Sequence, residues 1–185
     1  MSTATNLAKE SPGRSPRDAC TAASAPLDGR LVRLRARPRT VHPDWRWLNV
    51  VPSAPGYHDV SFTIETHFGV HIGDCRLSAI SAEDRAAALT LAIDHPVYLN
   101  RGYGTDAARA LCRFGFQEMD LHRITVEVLT DEAAAGVRYA RLGFRIEGCR
   151  RDAVVRNGRY RDAILLGLLR GELRAPQEDD DDLPV

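Results

Sequence analysis

Apolar residues recur at every second position in several short stretches of this chain and at every third or fourth position in two others. That mixture predicts strands and helices built into one α/β layer. Leu31-Val32-Arg33-Leu34-Arg35 alternates apolar and basic side chains, as a half-buried first strand does. Pro43-Asp44 opens a short helical piece carrying Trp45, Trp47 and Leu48, and Val51-Pro52-Ser53-Ala54-Pro55-Gly56 then breaks into loop. Phe62 and Ile64 alternate with Thr63 and Glu65 in a second strand, and His67-Phe68-Gly69 turns the chain into a third, from Val70 to Ile80. After the polar turn Ser81-Ala82-Glu83-Asp84, the run from Ala86 to Ile93 is almost wholly apolar and of strand length, which suits a central fourth strand covered on both faces. Ala108, Leu111, Cys112, Gly115 and Met119 repeat at helical spacing in a helix beginning near Asp106. Ile124, Val126 and Val128 mark a fifth strand. Ala133 to Leu142 reads as a second helix ended by Gly143, and two more strands follow around Phe144 to Arg151 and Ala163 to Leu169.

Composition narrows the setting. With 185 residues, 44% of them hydrophobic, the chain can bury one substantial core. The expected division is a disordered leader at 1–27, rich in Ser, Ala, Pro and Thr, one domain at 28–173, and an acidic tail at 174–185 containing Glu178-Asp179-Asp180-Asp181-Asp182. Formal net charge is zero, which argues against a general nucleic-acid binder. No segment is apolar enough for a signal peptide or a membrane span. Cys20, Cys75, Cys112 and Cys149 show no Cys-x-x-Cys spacing, so neither a zinc site nor a disulfide framework is indicated, and a reducing cytoplasm fits best. His67 and His71 flank a turn without a third ligand in sequence, so no metal is expected there.

The candidate chemistry begins where the fourth strand meets the first helix. Leu99-Asn100-Arg101-Gly102-Tyr103-Gly104-Thr105-Asp106 joins them through two glycines, whose backbone freedom lets several N–H groups point at one phosphate while the helix dipole favours its charge. Beyond it come Leu121-His122-Arg123-Ile124-Thr125-Val126-Glu127-Val128, Tyr139-Ala140-Arg141-Leu142-Gly143-Phe144, and Asn157-Gly158-Arg159-Tyr160-Arg161-Asp162. In that order and spacing, from about Arg30 to about Leu173, the chain resembles the GNAT acyltransferases. It is most similar to the group that acetylates ribosomal-protein N-termini and small amines such as antibiotics.

The resemblance implies a mixed, largely antiparallel central sheet with helices on both faces, and an acyl-CoA cleft where the fourth and fifth strands splay apart. It implies acetyl-CoA as cofactor, with backbone groups of Ala92, Ile93 and Asp94 pairing with the pantetheine amides. The N–H groups of Arg101, Gly102, Tyr103, Gly104 and Thr105 would hold the diphosphate. Tyr139 matches the family tyrosine credited with protonating the departing thiolate. The acceptor would be an amine, on a small molecule or at a peptide or protein N-terminus. Three departures stand against this pattern. Ala88 occupies the fourth-strand position where a Glu often accepts the amine's proton, which leaves Glu127 as the alternative base. Glu132 replaces a common Asn and sets a negative charge near a polyanionic cofactor. Between Asn49 and Val60 a Pro/Gly-rich connection replaces a second helix, so the acceptor side should be open, to be completed by a second copy as a homodimer, by the leader, or by a large substrate, with Trp45, Trp47 and Tyr57 as candidate lining. These departures keep two other functions in view: a non-catalytic acyl-CoA-binding or regulatory relative, and a fold reused for other thioester chemistry.

Overall fold

The computed structural model describes residues 25–37 and 58–176. Eight strands form one sheet: β1 (Leu27–Asp28), β2 (Val32–Ala36), β3 (His58–Thr66), β4 (His71–Ser81), β5 (Ala86–Ile93), β6 (Arg123–Leu129), β7 (Arg145–Arg156) and β8 (Arg159–Leu169), in the spatial order β1-β2-β3-β4-β5-β6-β8-β7. Every neighbouring pair is antiparallel except β5 and β6, which run parallel. A parallel pair needs a crossover, and helix α1 (Tyr103–Gln117) provides it. Helix α2 (Ala133–Leu142) links β6 to β7.

Cross-strand partners share a face of the sheet, so the register sorts the side chains. Leu34, Ile64, Phe62, Cys75, Leu77, Leu89, Ile124, Val126, Leu166 and Leu168 are buried on one face of the sheet. The predicted apolar stripe of α1 meets them. Phe114 packs edge-on against Phe62 with ring centroids 5.4 Å apart. A Cβ at Gly115 would meet methyl groups of Ile124, Leu121 and Leu77 at 3.0–3.2 Å, so this glycine sets how closely helix and sheet approach. The opposite face carries Arg35, Thr63, Glu65, Asp74, Arg76, Thr90, Thr125 and Glu127.

The expectation of a mixed, largely antiparallel sheet therefore holds. The two described helices contact each other and β6. The helical piece starting at Pro43, with Trp45, Trp47 and Tyr57, lies outside the described residues, and from His58 the chain is already in β3. Several boundaries also move. A two-residue β1 precedes the expected first strand and includes Leu27, and at the other end the Arg174 N–H donates to the Leu142 carbonyl at 3.0 Å. The last two strands extend into a long hairpin closed at Asn157-Gly158, where φ values of 51° and 72° match the tight turn that suits twisted strands. Helix α1 starts three residues earlier than expected, and Asp106 has a different task there. Its buried carboxylate accepts from the Leu31 N–H at 2.7 Å and the Val32 N–H at 3.1 Å, tying the β1–β2 turn to the head of the helix.

Candidate active site

Two strands that begin as partners part company at the centre of the sheet. β5 and β6 pair only at Ala86 with Arg123, Ala87 with Ile124 and Ala88 with Thr125, after which β5 runs on to Ile93 and β6 to Leu129. β6 stays paired to β8 along its length, and β5 to β4, so the opening is a fork bordered by two strands each held from its far side. Ala88 sits at the vertex. Ser78 Oγ donates to its carbonyl at 3.3 Å, and no carboxylate replaces its methyl group at this position.

Backbone direction alternates along a strand, and this narrows the expected pairing groups. The Asp94 N–H donates to the Ile72 carbonyl at 2.9 Å, towards β4. The Ala92 carbonyl leans the same way, onto Gly73, where a Cβ would stand 2.1 Å from it. Of Ala92, Ile93 and Asp94, it is therefore Ile93 that directs its backbone groups into the fork. The Asp94 N–H and the Ala92 carbonyl are turned towards β4.

Beyond β5, a short turn of 3-10 helix at Pro96–Tyr98 leads to the glycine turn. Gly102 is the N-cap of α1 with a left-handed backbone (φ 78°), following Asn100 at φ 57°. Among the described residues, no side chain caps this end of the helix. The Asp106 N–H donates to the Gly102 carbonyl at 2.9 Å, which leaves the N–H groups of Tyr103, Gly104 and Thr105 as the open donors of the first turn, the last two on buried residues. Donors without a partner among the described residues, at the positive end of a helix dipole, suit a phosphate. Arg101 is exposed beside them. The Tyr103 ring packs edge-on against Tyr98, 5.0 Å between centroids, and Tyr98 against His95, so its side chain braces the turn while its N–H remains available.

Helix α2 brings a second wall. A Cβ at Gly104 would meet the Arg138 guanidinium at 3.1–3.2 Å, so Arg138 lies directly over the head of α1. Nothing in the sequence pattern singled it out. Tyr139 beside it is buried, edge-on to Phe144 at 5.2 Å, on the helix-covered side with Cys75 and Cys112 among its charge neighbours. Burial pushes its phenol up to about 12, with the Arg138 charge pulling the other way. It therefore stays protonated through the physiological range. Gly143 holds this end in place: its left-handed backbone (φ 104°) lets the Phe144 N–H donate to the Tyr139 carbonyl at 3.0 Å, and a Cβ there would collide with the Glu172 carbonyl at 2.2 Å.

The other candidates divide clearly. Glu127 is on the face turned away from the described helices, two residues past the vertex partner Thr125, and its carboxylate is engaged by Arg150 at 2.5 Å. Tyr139 and Glu127 thus stand on opposite sides of the sheet. Glu132 pairs with Arg156 at 2.8 Å, which neutralises the charge expected to oppose a polyanion. Among the described residues, no group of three or more His, Cys, Asp or Glu side chains is arranged to hold a metal, and no helix is long and apolar enough to cross a membrane. Cys75 and Cys112 are buried thiols whose ionisation is pushed far up by desolvation.

A family model described as the acetyltransferase (GNAT) domain matches residues 17–145, a span that includes the fork, the glycine turn and Tyr139. The chain belongs to this family. Among its GNAT relatives, the uncharacterized N-acetyltransferase YnaD of Bacillus subtilis (strain 168) is 30% identical over 78 residues, 42% of this chain and 46% of YnaD. Spermidine N(1)-acetyltransferase of Escherichia coli (strain K12) is 32% identical over 110 residues, 58% of each chain. The chain thus spans about half the length of the curated relatives it matches. Among solved structures, a chimera of spermidine N-acetyltransferase SpeG from Vibrio cholerae and hSSAT superposes with a TM-score of 0.59 at 25% identity, covering 61% of this chain and 68% of that one. The Vibrio cholerae enzyme in complex with CoA and spermine gives a TM-score of 0.59 at 24% identity over 62% and 67%, a likeness of fold.

Proposed function

We propose that this GNAT chain transfers an acetyl group from acetyl-CoA to a primary amine by direct attack, with no covalent enzyme intermediate. The observation that carries the proposal is the glycine turn at the head of α1, which follows β5 out of the fork and carries no side-chain cap among the described residues. The residues fit the cofactor, which when bound supplies an acetyl group activated as a thioester. Tyr103, Gly104 and Thr105 offer backbone donors to the diphosphate, with Gly102 turning them together and Arg101 alongside. Ile93 offers strand-like pairing to a pantetheine amide. Tyr139 holds a proton on the side of the described helices, where a thiolate would need one, and Glu127 lies on the side turned away from them, where an amine would enter. The relatives' names support an amine acceptor, and the finer resemblance adds protein N-termini to the small amines. A homodimer belongs to the same proposal, supported by β7, an edge strand exposed along most of its length.

A second reading, an acyl-CoA-binding relative without turnover, is favoured by Ala88 at the vertex and by the Arg150 grip on Glu127. One experiment separates them. The full chain is incubated with acetyl-CoA and spermidine, spermine or peptides with a free α-amino group, following thiol release and product mass. Thiol release matched by an acetylated amine supports the enzyme. Tight CoA binding with no product from any amine up to alkaline pH supports the binding protein, and absence of CoA binding overturns both.

A further inference from the structure

At the head of α1 two positive groups meet. The helix end carries the positive pole of the dipole and uncapped N–H groups, and the Arg138 guanidinium from α2 rests over Gly104, with a distance of 3.1 Å from a Cβ built there to Cζ and Nη1. Like poles brought together repel, and an anion shared between them relieves that repulsion. The carboxylates that begin α2 are not that anion, because Glu132 is engaged by Arg156 at 2.8 Å and Asp131 by Arg161 at 3.4 Å. Arg138 itself is half-buried, and its neighbour Tyr139 is fixed by the Gly143 turn, so the guanidinium is presented from a rigid element.

We infer that Arg138 is a specificity-determining residue of the acyl-CoA site: it donates to the diphosphate held by the glycine turn and so selects a nucleotide-linked thioester over one on a bare pantetheine arm. This rests on the proposed acetyl-CoA site. The chemistry follows from the shape of guanidinium, a planar set of N–H donors that pairs with phosphate oxygens in two parallel bonds and cannot lose its charge. A carrier-bound or free pantetheine lacks the diphosphate, so its binding draws on Ile93 and the fork but not on Arg138. Gly104 gains a second reason to be glycine. A methyl group there would push the guanidinium off the turn as well as crowd the phosphate.

The test uses the full chain and calorimetry with CoA and with pantetheine. Arg138→Gln should weaken CoA about 10- to 100-fold, the range for a charge-assisted hydrogen bond, with Arg138→Lys recovering part of the loss. Pantetheine should bind the Gln variant as it binds the parent, and the salt dependence of CoA binding should flatten. Gly104→Ala should weaken CoA in the parent and weaken it less in the Arg138→Gln background, since the two changes strike one contact. Unchanged thermal unfolding of Arg138→Gln separates lost recognition from lost structure. If the parent does not bind CoA, the acetyltransferase proposal fails and this inference with it. If the parent binds and Arg138→Gln binds CoA within about threefold, or loses CoA and pantetheine equally, the inference alone is overturned.

Discussion

Tyr139 is a phenol kept dry by its neighbours, and the burial that makes it good packing also makes it a secure store for a proton. Tyr139→Phe retains the ring against Phe144 and deletes that proton. Turnover should fall roughly 10²–10⁴-fold with little change in acetyl-CoA affinity, and a turnover within about threefold of the parent would return Tyr139 to a packing role. The same burial has a signature in stability. The folded-state pKa, about 12, lies above the ordinary 10.0, so between those values the folded chain binds more protons than the unfolded one. Stability is then intact below pH 10 and declines as pH rises towards 12. Thermal midpoints measured across pH 8 to about 11.5 should drop in the parent and drop less in Tyr139→Phe. On the opposite face Glu127 is gripped by Arg150 and Ala88 offers no carboxylate. The ascending limb of the pH–rate profile should therefore follow the acceptor, near 8 for an α-amino group and about 10.4 for a lysine-like amine. Glu127→Gln should leave that limb in place, and Ala88→Glu should raise activity near neutrality. A limb well below the amine's pKa that disappears in Glu127→Gln would make Glu127 the base.

At the scale of elements, the head of α1 depends on a side chain that belongs to the helix but serves a distant turn. Asp106→Ala would strand the buried N–H of Val32 and the partly buried N–H of Leu31, at a cost of about 2–4 kcal/mol measurable by urea unfolding, and an unchanged midpoint would mean that water replaces the carboxylate. Elements whose two ends carried chemical punctuation were readable from sequence alone. β5 fills the apolar run from Ala86 to Ile93 because Arg85 and Asp94 bound it, and α2 ends at Leu142 because Gly143 can take the left-handed backbone. The start of α1 was misjudged for a physical reason: Asp106 looks like a helix opener, whereas Gly102 does the opening and Asp106 faces backwards to β2. β7 outran its prediction since both its faces are largely exposed, and without one buried face no alternation in the sequence marks its length. In the candidate site, the glycine turn and Tyr139 were legible because local spacing encodes them. Arg138 over Gly104, Glu132 on Arg156 and Glu127 on Arg150 are meetings between separate elements, which only the packing decides.

For the whole molecule, the sheet ends on β7, a twelve-residue edge with Ile146 71% and Val155 58% exposed. An exposed strand of this length is a template for pairing with another chain, and its arginines alone do not make it harmless. Ile146→Lys with Val155→Lys should shift a dimeric parent to monomer by light scattering while leaving CoA binding unchanged; a parent that is monomeric at all concentrations tested would remove the homodimer from the proposal. The fork has a mechanical meaning as well. Only three register positions join the five strands from β1 to β5 with the three from β6 to β8, so the sheet is two plates with a short weld. Anything that lays a strand-like backbone along Ile93 lengthens that weld. On the proposed cofactor site, a pantetheine arm would be a reinforcing seam between the two plates, and the thermal midpoint of this chain should rise with the concentration of acetyl-CoA.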